Sequence, residues 1–150
     1  LIGDDWMLIT AGNKDCANTM TASFGGFGVL FFKEVAHIYV RPERHTFSFL
    51  EENETFSLTF FDESFKDKLA YCGKISGKDE NKIAKCGFDV HYHNDTTPYF
   101  KQARLTVICK KIYAQDIQQE CFIDESAFEK TYSNGGLHRM YIGEIIDVIK

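Results

Sequence analysis

Arg104-Leu105-Thr106-Val107-Ile108-Cys109-Lys110-Lys111-Ile112-Tyr113-Ala114 decides the fold. Leu105, Val107 and Cys109 alternate with their neighbours at the two-residue period of a strand, and Ile112 and Ala114 resume the alternation one step out of phase. The slip at Lys110-Lys111 predicts a β-bulge, which bends a strand and curves a sheet toward a barrel. The flanking sequence agrees. Thr55 to Phe61 alternates, with Phe56, Leu58 and Phe60 on one face and Ser57 and Thr59 on the other. Val35 to Val40 is apolar on both faces, as a central strand would be. Met7 to Thr10, Thr19 to Ser23 and Met140 to Ile149 complete the strand candidates. Gly25-Gly26-Phe27-Gly28 reads as a turn and close-packing site.

Helical signals are few and short. Thr46 to Asn53 reads as a helix, with Thr46 as N-cap and Phe47 and Leu50 on one face. Glu63 to Tyr71 is a second, after Asp62. A third is expected from Ser76-Gly77-Lys78-Asp79, an S-x-x-D capping pattern, to a stop near Gly87. Five or six strands with a few short helices predict a small, mostly antiparallel β-barrel.

Composition bounds the function. At 150 residues the chain is one domain, with 44% apolar residues and no run long enough to span a bilayer. Seventeen Lys and Arg against 22 Asp and Glu give a net charge of −5, which argues against a generally basic nucleic-acid binder. The 14 Phe point to a large apolar core or a subunit interface. The five cysteines, Cys16, Cys72, Cys86, Cys109 and Cys121, form no C-x-x-C and read as reduced thiols of a cytoplasmic protein. The chain begins at Leu1 rather than Met, so a truncated N-terminus stays open. A nucleophile elbow and a P-loop are both missing. His91-x-His93 lacks a third ligand at metal-binding spacing, so no metal is expected.

Three segments carry chemistry. Asn18-Thr19-Met20-Thr21-Ala22-Ser23 places Thr19, Thr21 and Ser23 on one strand face, a row of hydroxyls for a polar ligand or simply a wet face. Arg41-Pro42-Glu43-Arg44-His45-Thr46 sets two arginines and a hydroxyl at a strand-to-helix junction, which suits a phosphate or a solvated turn. Ser76-Gly77-Lys78-Asp79 with Lys82 reads as a second anion-friendly helix start or a plain capping box. Together they suggest a phosphorylated ligand held by an acidic protein.

These segments, in order with Asp5-Trp6-Met7-Leu8-Ile9-Thr10-Ala11-Gly12, Tyr71-Cys72-Gly73 and His138-Arg139-Met140-Tyr141-Ile142-Gly143-Glu144, resemble the flavin reductase-like, FMN-binding split-barrel family, its flavoredoxin-type members above all. The resemblance implies an antiparallel split β-barrel that forms homodimers with FMN near the subunit interface. It implies that Asn18, Thr19, Met20, Thr21, Ala22 and Ser23 contact the isoalloxazine and ribityl chain. Arg41, Arg44, His45 and Thr46 are implied at the phosphate end, and Ser76, Gly77, Lys78, Asp79 and Lys82 in a segment closing over the flavin. His138 is implied at the nicotinamide or flavin edge, where this chain reads Gly136-Leu137-His138 and relatives often read Gly-Asp-His. Phe31 and Phe32 fall where relatives often carry Trp. The implied activity is a flavin reductase that passes a hydride from NAD(P)H to flavin N5 and on to an acceptor. The alternative is an FMN electron-transfer protein, with a redox protein partner and no NAD(P)H activity.

Overall fold

The computed structural model describes residues 1–150. It is mostly antiparallel sheet with short helices, as the alternation predicts. Nine strands form, more than the sequence reading counts: β1 (Met7–Gly12), β2 (Ala17–Ala22), β3 (Gly25–Leu30), β4 (Lys33–Val40), β5 (Thr55–Phe60), β6 (Val90–His93), β7 (Thr97–Phe100), β8 (Leu105–Asp116) and β9 (Arg139–Ile149). Seven make one sheet in the order β2-β1-β5-β8-β9-β4-β3, and β6 and β7 form a separate hairpin. The helices are α1 (Ile2–Asp5), α2 (Thr46–Glu52), α3 (Lys66–Lys74), α4 (Lys82–Lys85) and α5 (Glu125–Tyr132).

The two edge strands of the main sheet, β2 and β3, are neighbours in sequence, separated only by Ser23 and Phe24. Such a short link joins opposite ends of the strand order only if the sheet curls on itself. No register pairs β2 with β3, so the barrel stays open between them, which is the split of a split barrel. Curvature comes from the long β8–β9 pair, whose register shifts between Ile108 and Cys109 and again between Lys111 and Tyr113. The second shift leaves Ile112 unpaired, one residue beyond the slip expected at Lys110-Lys111.

Inside the barrel, Met7, Ile9, Ile38, Phe56, Leu58, Phe60, Val107 and Tyr141 pack into one core cluster. The other face of β1 is buried too, because Leu8 joins Phe61, Leu69, Cys72, Cys86, Phe88 and Phe100 in an outer cluster under α3 and the β6–β7 hairpin. The polar face of β5 is covered as well. Ser57 Oγ donates to Pro98 O at 2.7 Å, and Thr55 and Thr97 share a hydroxyl contact at 2.6 Å.

Four local readings are corrected. Gly25-Gly26-Phe27-Gly28 is edge strand, not turn, pairing with Val35 to Ile38 of β4. At Gly25, with φ +148°, an added Cβ would meet His37 O at 2.7 Å, so the glycine is what lets the chain enter this strand. The third helix does not start at Ser76. Asp79 N and Glu80 N both donate to Ser76 O in a turn, and the helix is the single turn of α4, capped by the Asn81 side chain on Ala84 N. The second helix divides into a 3₁₀ turn (Glu63–Phe65) and α3, and Asp62 makes no side-chain cap. Thr46 is the first residue of α2 rather than its cap. Its hydroxyl accepts from Asn18 Nδ2 at 2.8 Å.

Candidate functional site

At the end of β2, seven of the sequence-nominated residues line one cavity. Met20, Thr21, Ala22, Ser23 and Phe24 run along one side of a cavity of about 170 Å³, and Tyr39, Arg41, Arg44 and His138 form the other. A second depression of about 320 Å³ shares Thr21, Ala22 and Ser23 and extends to Trp6, Leu69 and Gly73. The end of β2 therefore divides two adjoining hollows, an arrangement for an extended ligand with an apolar part and a polar tail.

Alternation along β2 sorts the nominated residues. Thr19 is fully buried, and its hydroxyl is held by Thr10 Oγ1 at 2.9 Å and Ile9 O at 3.2 Å. It braces β1 against β2 and does not line the cavity. The Thr21 hydroxyl donates to Leu69 O and so ties β2 to α3. The expected row of free hydroxyls thus reduces to Ser23, which is exposed. Asn18 is buried and occupied by Thr46. Gly77 lies so close to the Asn18 amide that a Cβ there would collide with it, which brings the Ser76–Asp79 turn against the start of β2.

Around Arg44, which lines the cavity, further cations gather. Arg44 donates from Nη1 to Gly73 O at 2.9 Å and from Nη2 to Cys72 O at 3.4 Å. Lys82 is 2% exposed, and its Nζ donates to the same Cys72 carbonyl at 2.8 Å. Both cations therefore hold last-turn carbonyls of α3 that helix geometry leaves unpaired. Burial, and then Arg44, push the Lys82 ammonium down to about 8. Burial, then Lys78 and Lys82, hold His45 below the usual histidine value. Neither Arg44 nor Lys82 has a carboxylate among its ion pairs. This knot of mutually repelling cations in an acidic chain has the charge and the donor types that an anion calls for.

Arg41 lines the same cavity. Its guanidinium donates to Thr131 O at 3.0 Å and Gly135 O at 3.2 Å, and lies over the Tyr132 ring. It thereby fixes the loop that delivers His138. His138 is buried, its ring 5.7 Å from that of Phe24. Its Nδ1 lies 2.7 Å from the Tyr132 hydroxyl. Burial first, and Arg41 second, lower its pKa from the histidine value, against a smaller opposing pull from Glu43. Sequence reading missed Tyr132. The available signal was Phe128 and Tyr132 at helical spacing behind Asp124, which caps α5 through Ser126 N.

His91 and His93 do not converge. His93 Nε2 binds Asp147 at 2.8 Å, while His91 packs on Tyr99.

With this geometry in place, the comparisons are specific. The chain matches the flavin reductase like domain over residues 4–150. Solved structures share the fold. The flavoredoxin of Methanosarcina acetivorans is 23% identical, with TM-score 0.75, over 97% of this chain and 68% of that one. An FMN-binding protein of Thermus thermophilus is 16% identical, with TM-score 0.73, over 97% and 70%. The NADH:FAD oxidoreductase of Streptomyces globisporus, solved with NAD and FAD fragments, is 15% identical, with TM-score 0.70, over 97% and 74%. A comparison with curated proteins finds no match. The domain match covers nearly the whole chain and carries a flavin-linked redox role in the coarse sense: the protein belongs to the flavin reductase-like family of split-barrel domains.

Proposed function

We propose that the chain binds FMN at the barrel seam and acts as an NAD(P)H-dependent flavin oxidoreductase. The observation that carries this reading is the cation knot of Arg44 and Lys82 beside Lys78 and His45, which reaches through Arg44 a cavity walled by Met20, Ala22 and Phe24. A flavin mononucleotide has a flat apolar ring, a hydroxylated chain and a phosphate, and wants these features in this order. Bound there, a flavin would supply two-electron redox chemistry between a nicotinamide donor and an acceptor. The residues bind and orient. Arg44 and Lys82 would hold the phosphate, Ser23 would meet the polar part, and His138 would border the ring on the side open to a nicotinamide. The Streptomyces relative, solved with NAD and FAD fragments, supports a nicotinamide donor by analogy of fold.

We also propose a homodimer. Phe27, Val29, Leu30, Phe31 and Phe32 of the β3–β4 hairpin are exposed, Phe32 fully so, and an apolar strip of this kind on an edge strand is covered by a second copy. No helix is long and apolar enough to cross a membrane. A cytoplasmic setting accords with five unpaired thiols.

The test is an anaerobic absorbance spectrum of the purified protein, before and after NADH and then NADPH. The bands of oxidised flavin, bleached by one nucleotide, are expected. Bands that ignore both nucleotides would favour an FMN electron carrier serving a redox protein. A protein that stays colourless after added FMN would overturn the proposal.

A further inference from the structure

Cys72 lies in the last turn of α3, and Cys86 directly follows α4. Both are free, both are buried in the outer cluster, and their Sγ atoms are 3.7 Å apart. The other thiols have no such neighbour. Cys109 belongs to the inner cluster, and Cys16 and Cys121 are exposed, one before β2 and the other at the end of a 3₁₀ turn (Gln119–Cys121). Two sulfurs at contact distance close to the roughly 2.05 Å of a disulfide by small side-chain rotations, without parting the elements that carry them. What they would bracket is residues 73–85, the segment that contains the Ser76–Asp79 turn and the buried Lys82.

We infer that Cys72 and Cys86 form a reversible dithiol–disulfide pair, oxidised by a peroxide, that fastens this segment to the end of α3. Cys86 reacts first, because it keeps 6% of its surface exposed while Cys72 keeps none. Its sulfur attacks one peroxide oxygen and the O–O bond breaks, giving a sulfenic acid and water. The Cys72 sulfur then attacks the sulfenic sulfur, the S–S bond forms, and the hydroxyl leaves as a second water. Two thiols and one hydrogen peroxide thus give one disulfide and two waters, with two electrons passing from sulfur to oxygen. A small-molecule thiol reverses the step by exchange. Burial foremost, and Cys86 beside it, hold the Cys72 thiol up at about 12 against an opposing pull from Lys82. The resting Cys72 thiol is therefore protonated and closes the disulfide slowly, which suits a response to sustained peroxide rather than a turnover step.

The test uses the full chain treated with hydrogen peroxide, then denatured, alkylated and mapped by mass spectrometry. The expected map has the Cys72 and Cys86 peptides linked, the other three cysteines alkylated, and the link lost after dithiothreitol. The oxidised protein should melt roughly 5–10 °C higher, as a closed loop of this length constrains the unfolded chain. Cys86→Ala should show neither the link nor the shift, and the wild-type map stands even if that variant folds poorly. Five alkylated cysteines after peroxide, links through Cys16 or Cys121, or an unchanged melting temperature would each overturn the inference. None of these readouts involves flavin, so they stand or fall apart from the proposed activity.

Discussion

The Tyr132 hydroxyl lies 2.7 Å from Nδ1 of His138, and both side chains are buried. Leu137 stands where an acid would orient this histidine, and the structure supplies the partner from α5 instead. The hydroxyl serves Nδ1 as donor or as acceptor, so the bond holds the ring in place and couples the proton on Nδ1, and with it the character of Nε2, to Tyr132. Tyr132→Phe keeps the ring and removes only this bond. The variant should lose about 1 kcal/mol of stability, up to 3 if Nδ1 is left unsatisfied. Nicotinamide oxidation should fall while flavin affinity holds. Denaturant melts and flavin fluorescence titrations, read beside turnover, separate the two effects.

His138→Ala makes the complementary case. Turnover with NAD(P)H should drop and bound flavin should remain, and full turnover in this variant would remove His138 from the mechanism. The pH dependence follows from sign. Burial and Arg41 place the folded pKa below the unfolded value of about 6.5, so folding favours the neutral ring. Its contribution to stability is complete above the unfolded value and is lost as pH falls through the lowered folded one. Acid melts of wild type and His138→Ala should converge there.

Arg44→Ala should weaken FMN by roughly 1.5–3 kcal/mol, the range for a charge-assisted hydrogen bond. The same change removes a cation that depresses Lys82, so the Lys82 pKa should rise from about 8 toward its ordinary 10.5. Flavin titration checks the first and NMR of the lysine side chain the second. An unaltered affinity would reject Arg44 as a phosphate ligand.

How much of this was legible in the sequence divides along physical lines. β5 and β8 were readable because one face of each looks into the barrel, so burial imprints a two-residue period. The β6–β7 hairpin was not, because its strands are four residues long and one contains Pro98. β3 was hidden by its glycines, whose strand conformation depends on β4 beside it. In the site, residue types were legible and partners were not. Thr46 reads equally as cap or ligand, and only the fold shows that it meets Asn18, 28 positions away. The cation knot follows the same rule, since Arg44 and Lys82 meet on one carbonyl that neither segment reveals.

Lys82 gives the site its own pH signature. A folded pKa of about 8 means the ammonium is half deprotonated near that pH without ligand. A phosphate dianion favours the charged form, so binding takes up a proton there. FMN affinity should therefore fall as pH rises through about 8 and beyond, while riboflavin, which lacks the phosphate, should show no matching decline. Lys82→Met should flatten the FMN curve. Parallel fluorescence titrations of the two flavins measure the difference, and identical profiles would place the phosphate away from Lys82.

Phe31 and Phe32 stand at the tip of the β3–β4 hairpin with φ of 55° and 58°, both in the left-handed region. A bulky residue there costs about 1–2 kcal/mol, and two-residue hairpin turns of this type favour Asn-Gly. Phe32 is fully exposed, so its strain is not offset by packing within one chain, and Phe31 has the Tyr113 ring beside it but is still half exposed. If a second copy covers the tip, the aromatic pair is kept for the interface at the expense of the monomer. The double change Phe31→Asn and Phe32→Gly should then move two quantities in opposite directions. The isolated chain should gain roughly 1–3 kcal/mol, read from denaturant melts at low concentration. The dimer should weaken, read from sedimentation across a concentration series. A variant that is both more stable and equally dimeric would show that the interface lies on another face.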